Sequence, residues 1–186
     1  MKHNHKITYK DITLRPIAEQ DLELLRNWRN DVQTTTYLAK IPTITSEMQQ
    51  AWFKKDQADP TTYTFAIERN DTKELVGSVA MYNIEGEQAE FGRIFIGDLK
   101  HRGKGYGFKG LAAVVYFAFE GLGITKLVAS VYENNERSAT NLLAQGFVVV
   151  GKRYVDEATG YDLDMELSKA DFLSKFDFVT AISIER

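Results

Sequence analysis

Four glycines fall between positions 103 and 110, at Gly103, Gly105, Gly107 and Gly110, and two cations, Arg102 and Lys104, stand among them. Glycine admits positive φ and lets backbone N–H groups come close to a ligand. The residues that follow read as an apolar helix whose positive dipole end opens into the same loop. This is chemistry for an anion, best a phosphate or pyrophosphate. A plain surface turn with two solvated cations explains so many glycines at a helix start less well. The chain has no cysteine, which removes thiol nucleophiles, thiolate metal sites and disulfides together. His101 beside a basic turn, with His3 and His5 near the start, makes no metal set, and none is expected.

Which phosphate ligand is meant is narrowed by what surrounds the loop. Gly105-Tyr106-Gly107-Phe108-Lys109-Gly110 reads G-x-G-x-x-G, and Glu133 follows at about the distance of a ribose-binding acid. A dinucleotide turn should follow its strand directly, however, and here Asp98–His101 intervene. Only one further βα unit comes after the glycine helix, which leaves no second nucleotide-binding half. No G-K-[ST] is present either, so the Walker pattern fails.

The elements that must hold this loop read as follows. Ile7–Leu14 is a strand; Asp21–Asn30 has helical spacing in Leu22, Leu25 and Trp28. Ser46 and Gln49 resemble a capping box opening a second helix, which stops before Pro60. Three strands follow: Tyr63 to Glu68, Leu75–Tyr82 and Gln88–Gly97. Their short connections predict an antiparallel meander. The glycine helix runs through Phe119 and ends at Gly121 and Gly123. Then come a strand at Lys126–Tyr132, a helix at Glu136–Gln145, and strands at Phe147–Tyr154 and Tyr161–Leu167. The fold class is α/β (α+β): a mixed, mostly antiparallel central sheet flanked by helices.

At 186 residues, with 44% hydrophobic and 26% charged, the chain is expected to form one domain, residues 1–186, with its core at about 11–170. A net charge of -3 gives no electrostatic reason to expect nucleic acid as a partner. No apolar run reaches the roughly 18 residues of a membrane span, so no membrane partner is expected and the chain is read as cytoplasmic.

At the glycine loop the sequence resembles the GNAT superfamily of N-acetyltransferases. Arg102-Gly103-Lys104-Gly105-Tyr106-Gly107 matches its R/Q-x-x-G-x-G/A motif. Ala89–Ile96 is similar to the family's central strand. Asn135-Glu136-Arg137-Ser138, with Gly146-Phe147, is similar to its N-x-x-S…G-F segment, and Gly160–Asp164 to an ending of the ribosomal-protein branch.

The resemblance implies acetyl-CoA as cosubstrate, without a metal, and acetyl transfer to a primary amine by direct attack in a ternary complex. Its pyrophosphate would lie on the amides of Arg102, Gly103, Lys104, Gly105, Tyr106 and Gly107. Its pantetheine arm would pair with Ile94, Phe95 and Ile96 almost as an added strand, in a slot splayed open from the strand at Lys126–Tyr132 by a bulge. Asn135 would hold the pantetheine amide, or act only as a helix N-cap. Glu90 is the first choice for the base that takes the amine's proton, with Asp164 and Asp162 second. The usual tyrosine acid, seven residues after Asn135, is replaced by Leu142. Ser138 would then stand near the thiolate, or serve only as a helix-start residue.

The acceptor is expected on the early helices and their loop, about Arg26–Trp52, with Trp28, Arg29 and Asp164 as contacts. The pattern is closest to the ribosomal-protein and amino-sugar-nucleotide acetyltransferase branches. The acceptor is thus a protein N-terminus, a small-molecule amine or an amino-sugar nucleotide. Arg26, Arg29, Lys54 and Lys55 suit an anionic acceptor or are ordinary exposed charges. A non-catalytic acetyl-CoA-binding module is the reading from another class. A monomer and a homodimer fit the sequence equally.

Overall fold

Left-handed backbone at Lys10, φ 55°, reverses the chain between β1 (Lys6–Tyr9) and β2 (Ile12–Pro16). The one strand expected over 7–14 is therefore a hairpin, with Tyr9 opposite Ile12. The computed structural model describes residues 3–35, 42–157, 159–175 and 181–185. His3 and His5 lie against the rings of Tyr63, Phe65 and Phe117, so these residues of the start are packed rather than loose.

The meander is as the short connections predict. β3 (Tyr63–Arg69), β4 (Leu75–Glu85) and β5 (Gln88–Ile96) run antiparallel in sequence order. β6 (Lys126–Tyr132) lies parallel to β5, because the chain between them crosses over through a helix. β8 (Gly160–Ser168) lies beside β6, and β7 (Val148–Asp156) forms the edge. A final strand, β9 (Ile182–Glu185), pairs with β1. The sheet order is β7-β8-β6-β5-β4-β3-β2-β1-β9, mixed and mostly antiparallel. β1 and β9 lie outside the 11–170 span expected for the core.

Helices cover both faces. α3 (Tyr106–Tyr116) is buried almost all round, through Leu111, Ala112, Ala113, Val114 and Val115. It joins the main core with Phe65, Ile67, Val79 and Met81. At Phe117–Gly121 it widens into a π turn rather than running on unchanged to Phe119. A Cβ at Gly121 would come within 2.6 Å of the Phe117 ring, so this turn closes only on glycine. Phe117 and Phe119 are fully buried, worth about 1.5–3 kcal/mol each.

α1 (Leu22–Asn30) and α2 (Ser46–Ala58) cover the other face. There Ile17, Leu22, Leu25, Ala66 and Leu75 form a second cluster, joined by Trp28, Trp52, Phe53 and Phe95. Ala66 belongs to this cluster and its neighbours Phe65 and Ile67 to the first, which is the period-two alternation of a strand between two helical layers. The cap of α2 is Thr45, whose hydroxyl accepts from the Met48 N–H at 3.2 Å. It stands one residue before the expected Ser46, and Gln49 is buried instead of reaching back to the cap. α4 (Glu136–Ala144) follows β6, and α5 (Lys169–Lys175) follows β8.

The entry to α1 is fixed by charge. Arg15 on β2 grips Asp21 in two bonds of 2.7 and 2.9 Å and Glu68 on β3 in one of 2.6 Å. The Ala18 N–H also donates to Asp21, at 2.8 Å. Hydrogen bonds donated to these carboxylates, Asp21 first, hold the Arg15 guanidinium well above its ordinary pKa against the opposing cost of burial.

Candidate active site

The site starts from an irregularity in β5. Ser78 pairs with Phe95 and Ala80 with Gly92, so two β5 residues, Arg93 and Ile94, face Val79 alone. Arg93 takes φ 53° to make this bulge. β5 and β6 pair only over three residues, Gln88, Ala89 and Glu90 against Lys126, Leu127 and Val128. Beyond Glu90 the strands part, and a cavity of about 260 Å³ fills the fork. Gly92, Arg93 and Ile94 line one wall, and Ala129, Ser130, Val131 and Tyr132 the other. Gly107 and Leu111 of α3 close its back, and Asn135, Ser138, Asn141 and Leu142 its α4 side. The splay expected beside the central strand is thus present, with its bulge at Arg93.

The glycine loop meets this fork at Gly107. Gly103 and Gly105 have φ of 78° and 79°, and Gly105 is the N-cap of α3. No atom lies within 4 Å of a Cβ placed on Gly103. An open left-handed turn at a helix N-terminus is a fit for a diphosphate. Lys104 is exposed at this turn, whereas Arg102 is engaged elsewhere. The Arg102 Nε donates to the Ile96 carbonyl at 3.3 Å and Nη1 to the Gln33 carbonyl at 2.9 Å. Tyr106 is buried, with His101 edge-on to its ring, so its side chain is core and only its amide faces the loop.

The strand residues divide between the two faces. Ile94 lines the fork, Phe95 lines a second cavity on the opposite face, and Ile96 lines neither. Asn135 caps α4, its Oδ1 accepting from the Ser138 N–H at 3.2 Å, which leaves its amide NH₂ to the cavity it lines. Ser138 lines the same cavity. Leu142, at the usual tyrosine position, is buried in that wall, and Tyr132 is a phenol lining the cavity.

The second cavity, about 740 Å³, lies between the sheet and α1 and α2. Leu25, Arg29, Met48, Trp52 and Lys55 come from the helices, and Thr64, Ser78, Tyr82, Asn83, Arg93 and Phe95 from the strands. Arg93 lines both cavities, so the bulge is where they meet. Glu90 lines neither cavity and is held by two residues of the second cavity's wall. Tyr82 Oη donates to its Oε1 and Asn83 Nδ2 to its Oε2, each at 2.8 Å. The Arg93 guanidinium lies 4.0 Å above the Tyr82 ring. Burial first, and then the Glu90 carboxylate, push the Tyr82 phenol well above its ordinary pKa, so it remains a donor.

Of the expected acceptor contacts, Arg29 lines the second cavity, while Trp28 and Asp164 line neither cavity. Trp28 lies flat on Gly97, in the space a Cβ there would need, and meets Phe95 edge-on. Asp162, a second choice for the base, lines the fork and holds Arg153 at 3.2 Å. Of the proposed acceptor loop, residues 36–41 lie outside the described residues. His101 is buried, not solvated, with Nε2 3.2 Å from Glu74. Glu74, Asp98 and His101 converge, but Lys100 Nζ already stands 2.6 Å from Glu74 and 3.1 Å from Asp98.

Sequence reasoning missed Tyr82, Asn83 and Arg93. Tyr82 had a partial signal: the turn at Glu85-Gly86 lays β5 back along β4, and a register shift between Tyr82 and Glu85 then sets Tyr82 opposite Glu90.

The sequence matches the model of the acetyltransferase (GNAT) domain family over residues 11–148. It is 29% identical over 164 residues to the uncharacterised N-acetyltransferase YoaA of Bacillus subtilis, covering 83% of this chain and 90% of that protein. In fold it is similar to the spermidine N-acetyltransferase of Vibrio cholerae, solved with CoA and spermine. The TM-score is 0.79, at 22% identity, over 88% of this chain and 98% of that one. A GNAT-family acetyltransferase of Bacillus anthracis superposes with TM-score 0.76 at 16% identity, over 89% and 99% of the two chains. A family match over most of the chain, on a sheet that forks beside a glycine-opened helix, makes the protein a member of the GNAT family and an N-acetyltransferase.

Proposed function

We propose that the protein transfers an acetyl group from acetyl-CoA to a primary amine, with Glu90 as the base. One observation carries the reading: the fork between β5 and β6 and a second cavity share Arg93, and Glu90 is held through both its oxygens by Tyr82 and Asn83 of the second cavity's wall. The CoA bound by the Vibrio cholerae relative supports assigning the fork to the coenzyme. The turn at Gly103–Gly105 and the first amides of α3 would hold its diphosphate. Asn135 would meet the arm through its amide NH₂. Acetyl-CoA supplies an activated thioester carbonyl; the protein's residues do the rest.

An ammonium cannot attack, so Glu90 takes its proton, directly or through water. Tyr82 and Asn83 keep the carboxylate facing one way. The parted β5 leaves amide N–H groups near the reacting carbonyl, where negative charge develops. Ser138 stands where it can donate to the departing sulfur. No residue passes through a covalent state, in accord with a chain that lacks cysteine.

The acceptor follows from the second cavity: a small amine, or the end of a peptide, beneath α1 and α2. The spermine of the Vibrio relative marks polyamines as one candidate class. The test is thiol release from acetyl-CoA with a panel of peptides, polyamines and amino-sugar nucleotides, alongside calorimetry of coenzyme binding. Binding and release together are expected. Absence of coenzyme binding overturns the assignment of the fork.

A further inference from the structure

The second cavity gathers three cations, Arg29, Lys55 and Arg93, against two carboxylates, Asp56 and Asp59. Arg29 is half-buried in its wall, and Arg93 and Lys55 line the same space. Among the described residues neither Arg29 nor Arg93 has a carboxylate at ion-pair distance. Burial, and then the like charge of Arg93, lower the pKa of the Arg29 guanidinium. Residues 36–41, Thr-Tyr-Leu-Ala-Lys-Ile, contain no Asp or Glu and so bring no counter-charge by their sequence. Both carboxylates that line the cavity accept from threonine hydroxyls, which orient them and leave their charge in place, and neither is at ion-pair distance from Arg29 or Arg93. Asp56 accepts from Thr64 at 2.6 Å, and Asp59 accepts from Thr61 and Thr62. Arg29 is thus a half-buried cation with an exposed one, Arg93, beside it and no carboxylate in reach among the described residues, an arrangement that an arriving anion stabilises.

Resting on the acetyl-transfer reading, we propose that the acceptor is an amine bearing an anionic group, a carboxylate or a phosphate, which Arg29 and Arg93 receive. Arg93 fixes where that group lies. It stands at the junction of the cavities, beside Tyr82, so the anion sits close to the reacting nitrogen and not at a distant end of a long chain. A guanidinium pair offers planar, forked donors that match either oxyanion. Polyamines present only positive charge to this wall and are poor acceptors.

The test uses matched amines that differ in the anion: L-phenylalanine against phenethylamine for the carboxylate, and phosphoethanolamine against propylamine for the phosphate, with spermidine as the cationic control. The anionic member of at least one pair is expected to have a kcat/KM about tenfold higher or more, equivalent to about 1.4 kcal/mol. Which pair shows the effect identifies the anion. Arg29→Gln should narrow that ratio toward one by raising KM for the anionic amine, and Arg29→Lys should recover part of it. Equal use of both members, preference for spermidine, or an equal loss for both members in Arg29→Gln overturns the proposal. Calorimetry without acetyl-CoA separates it from the transfer reading. If no amine releases thiol, that reading fails alone. Heat of binding for L-phenylalanine or phosphoethanolamine that is lost in Arg29→Gln still supports the anion pocket, and no heat with either overturns it.

Discussion

As the proposed base, Glu90 depends on two neighbours on β4. Tyr82 holds one carboxylate oxygen and Asn83 the other, which fixes the direction the carboxylate faces. Glu90→Gln is expected to lower kcat by about 10²–10⁴, the usual worth of a general base, while calorimetry shows acetyl-CoA affinity retained. Tyr82 gives a pH prediction with a definite sign. Its phenol pKa is raised, so the fold favours the protonated form. That stabilisation is complete below the ordinary tyrosine value of about 10 and is lost only as pH climbs through the raised value. Wild-type protein and Tyr82→Phe should therefore give superimposable tyrosinate absorbance up to about pH 11. An extra ionising tyrosine in the wild type would show that the hydrogen bond to Glu90 is not made. The sequence discloses Glu90 as a lone carboxylate on an apolar strand. It does not disclose Arg93 as the bulge, because one positive φ at an arginine leaves no mark in composition.

At the scale of elements, glycines decide where chains may touch. The Trp28 ring occupies the place of a Gly97 side chain, which ties α1 to the end of β5. Gly97→Ala must push that ring off, with a cost in the about 1–3 kcal/mol range of overpacking, read as a fall in the urea midpoint. Gly105→Ala acts differently. At φ 79° it strains only the cap of α3, by about 1–2 kcal/mol, and should weaken acetyl-CoA binding with little change in amine KM. The Arg15–Asp21–Glu68 network predicts a third outcome. Asp21→Asn leaves a largely buried guanidinium short of a partner and should cost about 3 kcal/mol in denaturant unfolding. The glycine loop was legible because its residues are consecutive. The N-terminal hairpin was not, since Lys10 adopts a conformation that lysine rarely signals.

Across the whole molecule, the element order from β3 to β8 follows from sequence patterning, because turns and periodicity are local. β9 and the fork do not. One is a short pairing of distant segments, and the other depends on how far two strands stay in register. The two cavities proposed for donor and acceptor lie on opposite faces of the sheet and share one residue, Arg93. Initial-rate plots at several fixed amine concentrations should therefore intersect rather than run parallel, since both substrates are held at once.

On the proposed assignment, the sheet is in effect a bulkhead between the two reactants, with Arg93 set in both of its sides. Each reactant has its own doorway, and neither has to back out to let the other past. Spent coenzyme can be exchanged while an acetylated product still lingers on the far side, so turnover with a sluggishly departing product need not stall the reloading of the donor berth.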